Sequence, residues 1–223
     1  MKWLEGSVIG FDGPLRGALF LIILTVFVDP AKVQTIAQEG NISQGPYLMD
    51  PNLTVQTLVT GLRTPTDMEF LSENDILILE KNSGTVRRVV NHTLLSEPLL
   101  DVSVSSRAER GMLGIATALQ ENGDVSVFLY FTESPTIDGA DNSGVEPLGN
   151  RLYKYELKEG RLVDGQLLLD LPAVSAYHNG GKIKVGPDNN LYLVVGDQQD
   201  PGQVPQLHRT TTQNVKNALF PDG

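Results

Sequence analysis

Tyr177-His178-Asn179-Gly180-Gly181-Lys182-Ile183-Lys184-Val185-Gly186-Pro187-Asp188-Asn189-Asn190-Leu191-Tyr192-Leu193-Val194-Val195-Gly196-Asp197-Gln198 is the stretch from which the fold is read. Ile183 and Val185 alternate with Lys182 and Lys184, the period-2 pattern of a strand with one dry face. Gly186 to Asn190 gathers turn formers: proline presets φ, and glycine and asparagine tolerate positive φ. Leu191 to Val195 is a continuous apolar run, which predicts a strand buried on both faces. The whole is a hairpin. Its antiparallel strands place His178, just before the first strand, on the same rim as Asp197 and Gln198, just after the second.

The pattern repeats. Met68 and Phe70 align with Ile183 and Val185, Asn74 with Asn189, and Ile76 to Leu79 with Leu191 to Val194, without a gap. Thr85 to Val90 supplies a third strand to that copy. A further copy runs from Leu113-Gly114-Ile115-Ala116-Thr117 through Glu121 to Asp124 into Val127 to Phe131, with Asn150 to Leu157 as its outer strand. Glu133 to Gly149, rich in Gly, Asp, Ser and Pro, reads as a surface insertion within it. Strand–turn–strand–turn–strand units recurring every ~45–70 residues are the signature of propeller blades. The expected fold is therefore all-β, about three blades of a β-propeller. A β-sandwich, the rival, would show alternating strands without aligned internal copies. One short helix is expected, near Thr212 to Ala218.

Composition narrows the functions. The 223 residues carry a net charge of −10, which argues against nucleic acid and anionic lipid as partners. The chain has no cysteine, which excludes disulfides, thiolate catalysis and cysteine-based zinc sites. With only His92, His178 and His208, a multi-histidine metal centre is not expected either.

Residues 1–37 read as a signal peptide or membrane anchor. Lys2 and Arg16 precede the apolar run Gly17 to Val28, which is short for a span and suits an export segment. Thr35-Ile36-Ala37 offers small residues for cleavage; an uncleaved anchor and a buried strand are the alternatives. Residues 38–53 read as a polar linker and 54–223 as the partial propeller. The protein is expected to be exported. Asn41-Ile42-Ser43, Asn52-Leu53-Thr54 and Asn91-His92-Thr93 fit the glycosylation triplet, a weak signal by itself. Three blades do not close a ring, and an open ring leaves strand edges unpaired. The expectation is thus an N-terminal portion of a longer protein, inactive alone.

The motif His178-Asn179-Gly180-Gly181-x-Ile183-x-x-Gly186-Pro187-Asp188-x-x-Leu191-Tyr192-x-x-x-Gly196-Asp197 resembles the soluble pyrroloquinoline-quinone (PQQ)-dependent sugar dehydrogenases, the glucose/sorbosone and aldose sugar dehydrogenase family. Gly61-Leu62-x-x-Pro65-x-x-Met68-x-Phe70 is similar to that family's first-blade opening. Glu109-Arg110-Gly111-Met112-Leu113-Gly114-Ile115-Ala116 is similar to the segment entering its second blade. The resemblance covers about residue 54 to the end. It implies a six-bladed propeller holding PQQ and calcium, a sugar substrate, and an external electron acceptor. It implies that His178 takes the proton of the anomeric hydroxyl while hydride passes from C1 to the quinone. A neutral imidazole suits that role, as a base near physiological pH. It implies sugar-binding roles for Gln198 and Glu109. Tyr177 stands where glucose enzymes carry an aspartate, so it is a further candidate for the sugar site, by stacking or by packing. The residues that grip PQQ and calcium in the family match nothing in this chain and are expected beyond Gly223.

The remaining signals have plainer readings. Asp197 and Asp200 could bind a cation but fit capping or solvated groups better, and no metal site is assigned. Arg87-Arg88 reads as a solvated strand face, and Tyr153 and Tyr155 as packing residues. A function from a different class also stands: a non-catalytic propeller that binds a protein or a glycan.

Overall fold

The computed structural model describes residues 47–137 and 144–198 in full, and the strands Leu19–Val26 and Thr212–Val215 by their backbone. The Thr35 to Ala37 cleavage triplet, the Asn41 triplet, Asp200, His208 and the middle of the 133–149 insertion lie outside the described residues. The chain divides into two compact units, Met1–Gly61 and Leu62–Gly223. In the first, the apolar run forms β1 (Leu19–Val26), which pairs with β2 (Leu53–Leu62). No helix among the described residues is long and apolar enough to cross a membrane.

The second unit is built of antiparallel sheets, the blades of a β-propeller. The first blade runs β3 (Pro65–Ser72), β4 (Asp75–Glu80), β5 (Thr85–Val90) and β6 (Thr93–Leu94), with β7 (Leu100–Asp101) also paired to β5. The second consists of β8 (Met112–Leu119), β9 (Val125–Glu133), β10 (Gly149–Lys158) and β11 (Arg161–Leu171), in spatial order β11-β10-β9-β8. The third is β12 (Lys182–Val185), β13 (Leu191–Val194) and β14 (Thr212–Val215). Internal copies do mark the blades.

One strand organises the packing. In β9, Val127, Leu129 and Phe131 point one way and Phe128 and Tyr130 the other, and all are buried. The first set joins Leu77, Leu79, Val86 and Leu99 of the first blade, together with Met112 and Ile115, in one core. The second set joins Ile183, Leu191, Leu193 and Val195 of the third blade in another. Tyr153 packs against the first core, its ring stacked on Phe131 at 5.3 Å between centroids. Between the inner strands, ion pairs reach from the third blade to the first: Lys182 Nζ to Asp67 Oδ1 at 2.5 Å, and Lys184 Nζ to Glu69 Oε2 at 3.2 Å.

The structure departs from the sequence reading at four places. Thr212–Val215 is a strand instead of the start of a short helix: it pairs antiparallel with β13, Leu191 opposite Val215 and Val194 opposite Thr212. An open sheet edge offers a complete set of backbone partners, which outweighs a weak local helix preference. Leu191 to Val194 is buried on one face only, with Tyr192 and Val194 exposed on the other. Arg87 and Arg88 are not simply solvated. Arg88 makes a two-pronged contact with Asp75, at 2.8 and 2.6 Å, and Arg87 lies 3.6 Å from Glu80, a buried carboxylate. Finally, β11 gives no clear strand signal in the sequence. It is an outer strand, mostly exposed, and its pairing with β10 is broken by register shifts, so its alternation is interrupted.

Phe128 is fully buried in the core shared by the second and third blades. Phe128→Ala is expected to lower the unfolding free energy by about 3–5 kcal/mol, read by denaturant titration.

Candidate active site

The loop between β11 and β12 carries His178. Turn chemistry alone would not hold a histidine there, because its φ is +56°. That left-handed conformation is unfavourable for a non-glycine residue and persists only when its surroundings impose it. Three sets of contacts do so. The His178 backbone N–H donates to Glu109 Oε2 at 2.5 Å. Asn179, fully buried, donates to Ser175 O at 3.2 Å and accepts from Asn150 Nδ2 at 2.9 Å. Its carbonyl accepts from Tyr130 Oη at 3.0 Å. Asn150 in turn accepts from Thr132 Oγ1 at 2.6 Å. Buried polar groups satisfied in this way specify one conformation.

Two glycines allow the close approach. A Cβ on Gly181 would run into the Tyr130 ring, and one on Gly196 would run into the His178 carbonyl. Only a bare backbone fits either place.

The imidazole itself stands out from the sheet rim, its side chain 47% exposed. Nδ1 lies 2.7 Å from Asp197 Oδ1. Asp197 follows β13, so the hairpin brings the two groups together across its open end. A carboxylate at Nδ1 favours the tautomer with the proton there, leaving Nε2 with its lone pair. The hydrogen bond to Asp197 raises the His178 pKa above its usual value, and the charge of Glu109 adds to this. The group is thus an oriented base of increased strength.

The other candidates divide. Glu109 is brought to His178, through the backbone. Gln198 also has a left-handed φ of +56°, and its carboxamide oxygen accepts from Val174 N–H at 3.2 Å. Tyr177 is half-buried, with its N–H donating to Ser175 Oγ at 3.0 Å. Sequence reasoning gave no role to Asn179, Asn150 or Arg110, although Asn179 and Arg110 stand inside the quoted motifs. Arg110 is buried, donating to Ser175 O at 3.0 Å and Ala173 O at 2.7 Å. An asparagine before two glycines was the available signal for a buried loop anchor.

Cations at the site are few. Arg110 is occupied by carbonyls, Lys182 by Asp67 and Lys184 by Glu69. These cations are committed to partners, whereas PQQ carries three carboxylates. No group of three or more His, Asp or Glu among the described residues is arranged to hold a metal. The described residues therefore do not fit PQQ or calcium by themselves.

Known proteins share this architecture. The glucose/sorbosone dehydrogenase family model matches residues 62–219. The PQQ-bound aldose sugar dehydrogenase of Streptomyces coelicolor is similar with a TM-score of 0.54 and 29% identity, over 66% of this chain and 42% of that one. An oxidoreductase of the glucose dehydrogenase type from Thermus thermophilus gives 0.51 and 28%, over 63% and 39%. Among curated proteins, Hedgehog-interacting protein of Mus musculus is 24% identical over 160 residues, 65% of this chain and 22% of that protein. The human protein of that name is 23% identical over 153 residues, 64% of this chain and 22% of that protein. The chain thus spans about a fifth of the length of these curated relatives.

Asp197→Asn is expected to lower the His178 pKa, read by NMR titration of the ring. A pKa raised by folding contributes stability that is fully present below the unfolded-state value and is lost as pH rises through the folded one. The stability gap between wild type and Asp197→Asn is therefore widest at mildly acid pH and narrows towards alkaline pH.

Proposed function

We propose, from the premise that this chain belongs to the glucose/sorbosone dehydrogenase family, that its protein is a quinoprotein aldose dehydrogenase and that His178 is its general base. The observation that carries this reading is the Nδ1 contact with Asp197, which leaves Nε2 on the exposed rim as a proton acceptor. A hydroxyl placed against Nε2 within hydrogen-bond reach would lose its proton there as its carbon gives up hydride. The imidazolium so formed would be stabilised by Asp197. Gln198 and Tyr177 flank the loop and are assigned to the sugar side. Glucose specificity is not implied, since Tyr177 replaces an acidic residue. PQQ as hydride acceptor, and calcium, are assigned to residues outside those described, in keeping with the poor fit of the described cations.

The protein is proposed to work outside the cytoplasm, passing electrons to an external acceptor. A second reading is favoured by one observation, the similarity to Hedgehog-interacting protein, whose name describes a binding function. On that reading the propeller binds a protein or glycan and His178 does no chemistry.

One experiment separates the two. Full-length protein is reconstituted with PQQ and calcium, and aldose-dependent dye reduction is assayed. Wild type is expected to reduce dye and His178→Ala to lose at least ~10²-fold in kcat. Equal rates in the two would remove the base assignment, and no reduction by either would favour the binding reading. In the wild type, kcat/KM is expected to rise with pH along a limb set by His178, above the usual imidazole range. Asp197→Asn should move that limb to lower pH.

A further inference from the structure

We infer that Glu109 is a positioning residue, setting the backbone of His178 from the neighbouring blade instead of reserving its carboxylate for the sugar. This rests on His178 being the base, as proposed above.

The geometry has two prongs. Glu109 and Arg110 lie together in the segment that enters the second blade, and both reach the loop that carries the histidine. Glu109 uses its own N–H to reach Ala176 O at 3.0 Å and its Oε2 to take the His178 N–H at 2.5 Å. Arg110 holds Ser175 O and Ala173 O, buried as it does so. Two adjacent residues therefore fix the loop at 173, 175, 176 and 178. A short hydrogen bond to a carboxylate is among the stronger kinds.

The recipient is the residue of this loop whose conformation most needs support. At φ +56° the His178 N–H has no strand partner, and an ordinary loop would relax to negative φ. Relaxation would swing the imidazole off Asp197 and away from the bound hydroxyl. Glu109 thus acts through another residue, taking the backbone N–H and leaving the ring to Asp197. Glutamine at this position keeps an acceptor oxygen and should keep the loop; alanine removes it.

The test uses the full-length protein with Glu109→Ala and Glu109→Gln. Hydrogen exchange at the His178 amide is followed beside steady-state kinetics. Glu109→Ala is expected to speed that exchange about tenfold. It should lower kcat by about 10²-fold, the cost of a misplaced catalytic group, with KM within about twofold. Glu109→Gln should stay within about threefold of wild type in exchange and kcat, since the acceptor is restored. A raised KM with unchanged kcat and unchanged exchange in Glu109→Ala would overturn the proposal and return the residue to sugar contact. Unchanged exchange overturns it in any case. If wild type proves to have no dehydrogenase activity, the exchange measurement still decides whether Glu109 sets the loop, so the two failures are told apart.

Discussion

The structure depends on β9 being dry on both faces. A strand of five consecutive buried large side chains, Val127 to Phe131, cannot exist at the surface of one sheet. It needs a packed layer on each side, and the first and third blades supply them. That requirement fixes the stacking of three sheets. It also fixes where the loops at their ends meet. Tyr130 shows the link most directly: its ring fills the space opposite Gly181, and its hydroxyl reaches the carbonyl of Asn179. The residue that anchors the histidine loop is thus a core residue of the neighbouring blade.

The site is accordingly built on rigid material although it sits in a loop. Asn179 and Asn150 are buried and paired, and Gly181 and Gly196 allow close approach to their neighbours. Placing a histidine in a left-handed conformation stores strain, and stored strain at a rim is characteristic of functional residues. That strain is balanced by hydrogen bonds from several elements, of which the Glu109 carboxylate is the one that takes the His178 N–H itself. Asp197 then selects the tautomer, and the face left open is the one that can accept a proton.

Much of this was legible from local pattern. The hairpin at 182–194 follows from Ile183, Val185 and the Gly186 to Asn190 turn, where Asn189 takes the positive φ and the Asn190 N–H donates to Asp188 Oδ1. That His178 and Asp197 share one rim follows from antiparallel pairing, and their contact is completed by the buried anchors of the loop. What could not be read depended on distant residues. Arg161 to Leu171 is an edge strand whose exposed, interrupted pattern carries little periodic signal. Thr212 to Val215 becomes a strand because β13 offers it an edge. Arg87 and Arg88 gained partners from β4 that no spacing rule within their own strand announces. The use of Glu109 on a backbone N–H, 69 residues along the chain, is likewise a product of blade stacking.

The ion pairs Lys182–Asp67 and Lys184–Glu69 have a wider consequence. They join the innermost strands of two blades that are not sequence neighbours, across β8, which packs against both. The two lysines are half-exposed, so their Coulomb attraction to the carboxylates weakens as salt rises, whereas the apolar cores do not. Brine would therefore release this tether between the innermost strands of the first and third sheets while the apolar packing on both faces of β9 stays in place.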